Sequence, residues 1–142
     1  MSNYHTPVLL NETIDYLNVV AGEKYIDATL GGGGHASAIK AKGGKVMGLD
    51  QDSEAIENSK EFVDVAIKTN FTHLEETAKQ NNWLPVSGVL LDLGVSMHQF
   101  SEGRRGFSIQ NDGPLDMRMG DTAVTAAELV NQLSVEQLAS IL

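Results

Sequence analysis

Apolar residues along the first hundred positions recur with two periods, and the two kinds of segment alternate. Short apolar runs separated by glycines and acidic residues indicate strands, and the last of them, residues 86–91, is nearly all apolar, as in a parallel sheet covered on both faces. Between the runs, apolar residues recur at helical spacing. This alternation predicts a doubly wound α/β sheet. The predicted strands cover residues 25–30, 45–50, 64–69 and 86–91.

Residues that commonly begin or end helices set the expected boundaries. Pro7 can open the first helix, because its fixed φ suits the first turn, and Gly22 is expected to stop it. Asp52 can cap the third helix by accepting a backbone N–H. Thr72 and Glu75 have the spacing of a capping box and predict the start of the fourth helix.

The pattern changes after Gly94. Residues 95–121 are rich in glycine and have no long periodic stretch, so they predict a loop, and long loops in compact domains are usually functional. A fourth strand left at the edge of a half-sheet is a feature that proteins avoid, so we expect a fragment of a longer protein. Two short final helices are predicted by the capping-box pairs Thr125 with Glu128 and Ser134 with Gln137.

Composition narrows the classes of function. The formal net charge of the 142 residues is −9, which argues against a broad nucleic-acid-binding surface, because phosphate binding needs clustered Lys and Arg. The absence of cysteine excludes disulfides, and the spacing of the four histidines predicts no metal site. The chain shows neither a signal peptide nor an apolar run of bilayer length, so we expect a cytoplasmic protein with no membrane contact.

Glycines and acidic residues gather where the predicted strands end, the edge at which open α/β sheets bind ligands. The block from Gly31 to Gly34, followed by His35, lies between a strand and a helix, where glycine lets a ligand approach the backbone. Asp50 ends the second strand, where an acid can bind the ribose hydroxyls of an adenosine-containing cofactor. Asp92 ends the fourth strand.

These features alone leave the cofactor open. Gly31, Gly33 and Ala36 satisfy the relaxed dinucleotide fingerprint, so an NAD-linked oxidoreductase is an alternative on spacing. Asp27, four residues before the glycines, has an acidic placement familiar from methyltransferase cofactor loops. Asp92 lies where methyltransferases that act on amino groups place a polar residue facing the substrate. Both acids favour a methyltransferase.

Six strings resemble one family closely: the small-subunit (16S) ribosomal RNA cytosine-N4 methyltransferases, also called MraW or RsmH. The opening string from His5 and the string that begins Gly113-Pro114-Leu115-Asp116 are the most specific. The chain departs from the family pattern at Met97, at Phe100-Ser101 and at Gly120. The strings cover residues 5–12, 27–35, 48–52, 90–96, 105–108 and 113–119, in the family's order.

The resemblance implies a bacterial enzyme of Rossmann-like fold that takes part in rRNA processing by methylating the N4 amino group of a cytosine. It implies S-adenosylmethionine as methyl donor and 16S ribosomal RNA within the small ribosomal subunit as partner. It divides the chain into the first half of the methyltransferase domain (1–100), an active-site loop (101–121) and the start of a helical substrate-recognition domain (122–142). The implied cofactor contacts are Gly33, Gly34, His35, Asp50, Phe71, Asp92 and Gln99.

Two further hypotheses concern the reaction. A cytosine amino group needs an acceptor for its hydrogens, and Asp92 is the first candidate for this catalytic role, in competition with its cofactor contact. The loop is expected to close over the cofactor or a flipped base. In a competing interpretation, Asp116 and Arg118 only hold the loop together. The loop candidates are Ser96, Arg105, Phe107, Asp116 and Arg118.

An alternative from another class is a truncated, non-catalytic fragment that binds the cofactor, or binds a partner through its exposed sheet edge. The NAD-linked oxidoreductase is the less favoured alternative.

Overall fold

The computed structural model describes residues 7–120 and 124–141, which fall into two compact units divided after Gly94. In the first unit four parallel strands form one sheet in the order β3-β2-β1-β4, which confirms the predicted α/β fold. The chain runs outward from β1 to β3 and then returns to the other side of β1. This reversal is the topological switch point at which such sheets bind ligands. The strands are β1 (Lys24–Asp27), β2 (Lys45–Asp50), β3 (Val65–Lys68) and β4 (Gly88–Leu90).

Helices cover the sheet, and alternate residues of a strand point to opposite faces. On one face, Tyr25 and Val46 join a cluster with Ile14 of α1 (Leu10–Leu17) and Ile39 of α2 (Gly34–Ala41). On the other face, Ile26 and Met47 pack with Trp83 and with Ala78 of α4 (Leu74–Gln80). Helix α3 (Ser53–Ser59) connects β2 to β3 and contributes Ile56 to the first cluster.

The first helix is shorter than predicted at both ends. It begins at Leu10 because Leu9 adopts a left-handed conformation (φ 51°), so Pro7 lies outside the helix. It ends at Leu17 because Asn18 is also left-handed (φ 47°). Asn18, which tolerates this conformation better than most residues, therefore ends the helix in place of Gly22.

Of the caps predicted for α3 and α4, one is confirmed and the other is wrong. Asp52 caps α3 as predicted, and its Oδ1 accepts the Glu54 N–H at 2.9 Å. The capping box at Thr72 was wrong. Asn70 Oδ1 accepts the Thr72 N–H at 3.0 Å and begins a 3₁₀ helix, Phe71–His73, that leads into α4. The Glu75 carboxylate instead pairs with Lys79 one turn later.

The fourth strand has three residues and, within residues 7–120 and 124–141, pairs in the sheet only with β1. The expected exposed edge is confirmed. The expectation that this strand is covered on both faces was wrong, because Val89 is 39% and Leu91 47% exposed.

The second unit is mainly short helices joined by irregular chain. Residues 95–120 are not only a loop, because they contain α5 (Met97–Ser101) and a 3₁₀ helix, Gly103–Arg105. One and a half turns are too short to produce a visible apolar period. The two final helices are confirmed with their capping boxes, as α6 (Ala126–Gln132) and α7 (Val135–Ile141). The predicted start of the helical domain at residue 122 lies outside the described residues.

Candidate functional site

The loop after β1 needs glycine for its own backbone. Gly31 (φ 49°) and Gly33 (φ 73°) are both left-handed, a conformation that only glycine adopts without cost. The Gly33 N–H donates to the Leu30 carbonyl at 2.8 Å and closes the turn. A Cβ on Gly33 would lie 2.7 Å from Cδ2 of Phe62. The left-handed backbone therefore requires glycine at positions 31 and 33. At Gly33, the closeness of Phe62 also leaves no room for a side chain.

This loop leads directly into the amino end of α2. Gly33 is the N-cap and provides no side-chain oxygen for the first N–H groups of the helix. Helix amino ends without such a cap are suited to an acceptor or an anionic group from a ligand.

Asp50 ties the end of β2 to the glycine loop. Its Oδ2 accepts the Gly31 N–H at 2.9 Å and its Oδ1 accepts the Asp52 N–H at 2.9 Å. Burial raises the pKa of this carboxyl above its ordinary value, and the nearby charge of Asp52 acts in the same direction. Each carboxylate oxygen can accept a second hydrogen bond, so the group retains capacity for ribose hydroxyls.

Three further side-chain hydrogen bonds hold the loops at the carboxyl ends of the strands in place. Ser59 Oγ, fully buried at the end of α3, donates to the Gly31 carbonyl at 2.6 Å. Thr29 Oγ1 accepts the Asp92 N–H at 2.7 Å and fixes the backbone after β4. Asn70 Nδ2 donates to Gln51 Oε1 at 2.9 Å and joins the loops after β2 and β3.

Asp27 is a buried acid at the end of β1. It is 1% exposed, and its Oδ1 accepts the Thr29 N–H at 3.2 Å. Burial raises its pKa to about 7, and the charges of Asp50 and Asp92 add to this effect. The ends of β2 and β4 thus place the carboxyl groups of Asp50 and Asp92 within electrostatic reach of Asp27.

His35 and Gly34, at the start of α2, contact the segment that precedes α1. His35 is 7% exposed, and its Nε2 donates to the Val8 carbonyl at 3.2 Å. A Cβ on Gly34 would lie 2.5 Å from Cγ of Pro7. The His35 side chain thus has a structural partner, and its cofactor contact stays a prediction.

Phe71 and Asp92 are more accessible. Phe71 is 40% exposed in the 3₁₀ helix after β3, so it is not a core residue and offers ring surface to a flat ligand. The Asp92 side chain is exposed after β4, while Thr29 holds its backbone.

The predicted residues of the second unit form two groups. Ser96 and Gln99 form the capping box of α5, and Gln99 is 9% exposed. Asp116 and Arg118 form a two-bond ion pair at 2.7 and 2.8 Å, and this pairing lowers the Asp116 pKa to about 2. Arg105 Nη2 donates to the Arg118 carbonyl at 3.1 Å. These contacts favour the interpretation that Asp116 and Arg118 hold the loop together. Phe107 is half-buried.

Within the described part of the chain, no group of three or more His, Asp or Glu side chains could hold a metal ion. None of the helices described there is long and apolar enough to cross a membrane.

The profile of the MraW methylase family matches residues 2–142 of this chain. The chain belongs to the MraW methylase family. The protein named ribosomal RNA small subunit methyltransferase H from Carboxydothermus hydrogenoformans is 46% identical over 96% of this chain and 47% of its own length. The protein of the same name from Symbiobacterium thermophilum is 45% identical over 100% of this chain and 48% of its own length. The chain therefore spans about half the length of these relatives.

Among solved structures, a mycobacterial protein in complex with NADPH has a TM-score of 0.47 and 16% identity, over 92% of this chain and 45% of that chain. A likeness at this level does not bear on the cofactor of an MraW-family chain.

Sequence reasoning missed Thr29 and Ser59, which hold the loops of this MraW-family site. Thr29 lies inside the string at residues 27–35 that resembles the family, so its position there could have marked it as a site residue. Ser59 gave no signal, because its partner Gly31 lies 28 positions away.

Proposed function

We propose that this chain is the cofactor-binding part of an enzyme that transfers a methyl group from S-adenosylmethionine to the N4 amino group of a cytosine in 16S ribosomal RNA. Family membership and the names of the relatives support methylation of small-subunit rRNA. The observation that carries the proposal is the Asp50 carboxylate, fixed by the Gly31 N–H beside the uncapped amino end of α2.

The residues at the switch point fit this cofactor. Asp50 would bind the ribose hydroxyls, and the exposed ring of Phe71 would lie against the adenine. The amino end of α2, with Gly33, Gly34 and His35, would bind the polar end of the methionine part through backbone N–H groups. When bound, S-adenosylmethionine supplies an electrophilic methyl group on a positively charged sulfur.

Asp92 is the proposed catalytic residue. Its backbone is held by Thr29 while its carboxylate remains exposed, so it is fixed in place and accessible. It would accept a hydrogen bond from the cytosine N4 amino group, which aligns the lone pair of the nitrogen, and would then take the proton released there. Among the second-unit residues, Gln99 is proposed as a cofactor contact and Ser96, Arg105, Phe107, Asp116 and Arg118 as substrate-loop residues. The proposed partner is the small ribosomal subunit in the cytoplasm.

A second candidate is a fragment that binds the cofactor without methylating RNA. The exposed edge strand β4 favours it, because among the described residues β1 is the one strand that pairs with β4.

Isothermal titration calorimetry with S-adenosylmethionine, and separately with NAD, tests the cofactor. We expect binding of S-adenosylmethionine only, weakened about 10- to 150-fold in Asp50→Ala, since hydrogen bonds to a charged group contribute about 1.5–3 kcal/mol. Asp64→Ala is the matched control. Asp64 accepts the Val46 N–H at 2.7 Å near the amino end of β2, away from the site. Binding of NAD in place of S-adenosylmethionine would overturn the proposal. A methylation assay on small subunits separates the enzyme from the non-catalytic fragment.

A further inference from the structure

The segment before α1 lies directly on the first turn of α2. A Cβ on Gly34 would lie 2.5 Å from Cγ of Pro7, closer than real Cβ atoms come to other atoms, and in tight contact with Cδ at 3.0 Å. The pyrrolidine ring is rigid, so it could not turn aside as a long side chain could. The absence of a side chain at Gly34 is what allows Pro7 to pack there.

A hydrogen bond holds the same segment one residue further on. The buried His35 donates from Nε2 to the Val8 carbonyl at 3.2 Å. The side chains of Val8 and Leu9 are 61% and 64% exposed, so the segment is not anchored by burying them. Leu9 is also left-handed, a conformation that costs a branched residue energy and persists where neighbouring contacts impose it. Pro7 and the Val8 carbonyl are therefore the contacts that hold the segment.

We propose that Pro7, Gly34 and the His35 side chain form a clamp that holds the amino end of α2 in the position required for cofactor binding. This inference rests on the proposed cofactor function. Pro7 and the His35 imidazole are positioning groups, whereas the backbone N–H groups at the start of α2 contact the cofactor. The close packing of the clamp matters because these N–H groups bind the cofactor only if they keep their direction.

The clamp completes the support of the glycine loop. At the start of the loop, Gly31 is held by Asp50 through its N–H and by Ser59 through its carbonyl. At the end of the loop, Gly34 and His35 are held by Pro7 and Val8. The turn between them is thus fixed from both sides, and loosening either side should weaken cofactor binding.

A double-mutant cycle tests the clamp. Affinity for S-adenosylmethionine is measured by calorimetry for the wild type, Gly34→Ala, Pro7→Ala and the double variant, and thermal unfolding is measured for each without ligand. Overpacking typically costs about 1–3 kcal/mol, so we expect Gly34→Ala to weaken binding about 5- to 150-fold. Pro7→Ala removes Cγ and Cδ, so the double variant should bind more tightly than Gly34→Ala alone.

Gly44→Ala is the matched control at the other end of α2. A Cβ there would lie 2.8 Å from Cγ2 of Ile39, so the variant is also overpacked but does not face Pro7. Pro7→Ala should not rescue it. At His35, Gln keeps a donor that can reach the Val8 carbonyl and should bind more tightly than Phe, which keeps only the volume.

Each outcome of the cycle is decisive. Affinity in Gly34→Ala equal to wild type would overturn the clamp. A double variant as weak as Gly34→Ala, or weaker, would show that the Cβ itself obstructs the ligand, which also overturns the clamp. A wild type that does not bind S-adenosylmethionine would instead overturn the proposed function. In that case, rescue of the Gly34→Ala melting temperature by Pro7→Ala would still show the packing contact, and its absence would refute it.

Discussion

At the scale of single residues, Asp27 is unusual because it is both buried and weakly hydrogen-bonded. Within the described part of the chain it accepts one hydrogen bond, from the Thr29 N–H. Burial, with the charges of Asp50 and Asp92, raises its pKa to about 7. The folded protein therefore keeps a proton on this carboxyl at pH values where the unfolded chain has released it.

This difference predicts how stability depends on pH. A group that binds more protons in the folded state lowers the free energy of unfolding as pH rises. The loss occurs between the unfolded pKa of 3.8 and the folded value of about 7, and amounts to as much as about 4 kcal/mol at 1.36 kcal/mol per unit. Asp27→Asn does not titrate and should flatten this slope, so the variant should lose less stability than wild type between pH 5 and pH 8. Urea unfolding at pH 5 and pH 8 measures this, and identical slopes would refute it.

At the scale of secondary-structure elements, the carboxyl end of α3 supports the glycine loop through one hydroxyl. Ser59 is fully buried and donates to the Gly31 carbonyl at 2.6 Å. Removing this donor leaves the partly buried Gly31 carbonyl without its partner, and a buried acceptor left in this way typically costs about 1–3 kcal/mol. The helix therefore acts on the loop as well as on the core.

Ser59→Ala should lower the free energy of unfolding by about 1–3 kcal/mol and weaken binding of S-adenosylmethionine, because the Gly31 end of the loop loosens. Ser87→Ala is the matched control, since Ser87 donates to Glu23 on an exposed part of the surface. It should change stability by less than about 0.5 kcal/mol. Chemical unfolding and calorimetry measure both variants, and equal effects would contradict a supporting role for Ser59.

The four strands and most of the helices could be predicted from the sequence, but α5 and much of the support of the site could not. Apolar periods predicted the strands, and Asp50 was expected at the end of β2 because it directly follows the second apolar run. The contacts Ser59 to Gly31, His35 to Val8 and Asp92 to Thr29 span 28, 27 and 63 positions. No local pattern specifies such pairs, because they arise only when the sheet brings distant loops together.

At the scale of the whole molecule, net charge and the edge of the sheet have opposite effects on self-association of the chain. The charge of −9 keeps copies of the chain apart, most strongly at low salt. In the part of the chain that the structure describes, however, β4 pairs only with β1, and Val89, Leu91 and Leu93 are exposed at alternate positions in and after it. An exposed apolar edge strand is a template for pairing with another chain. We therefore expect self-association that increases as salt screens the charge.

Leu93→Lys should reduce this association. Leu93 is 67% exposed, and burying most of a leucine side chain contributes about 1–2 kcal/mol, so the association constant should fall about 5- to 30-fold. Tyr16→Lys is the matched control, because Tyr16 is 91% exposed on α1 and belongs neither to β4 nor to the chain that follows it. Both variants change the net charge equally, so a difference between their association constants reports the effect of the position of the substitution. Light scattering across a concentration series in 0.5 M salt measures it. If the two variants reduced association equally, general charge and not the β4 edge would control the contact between chains.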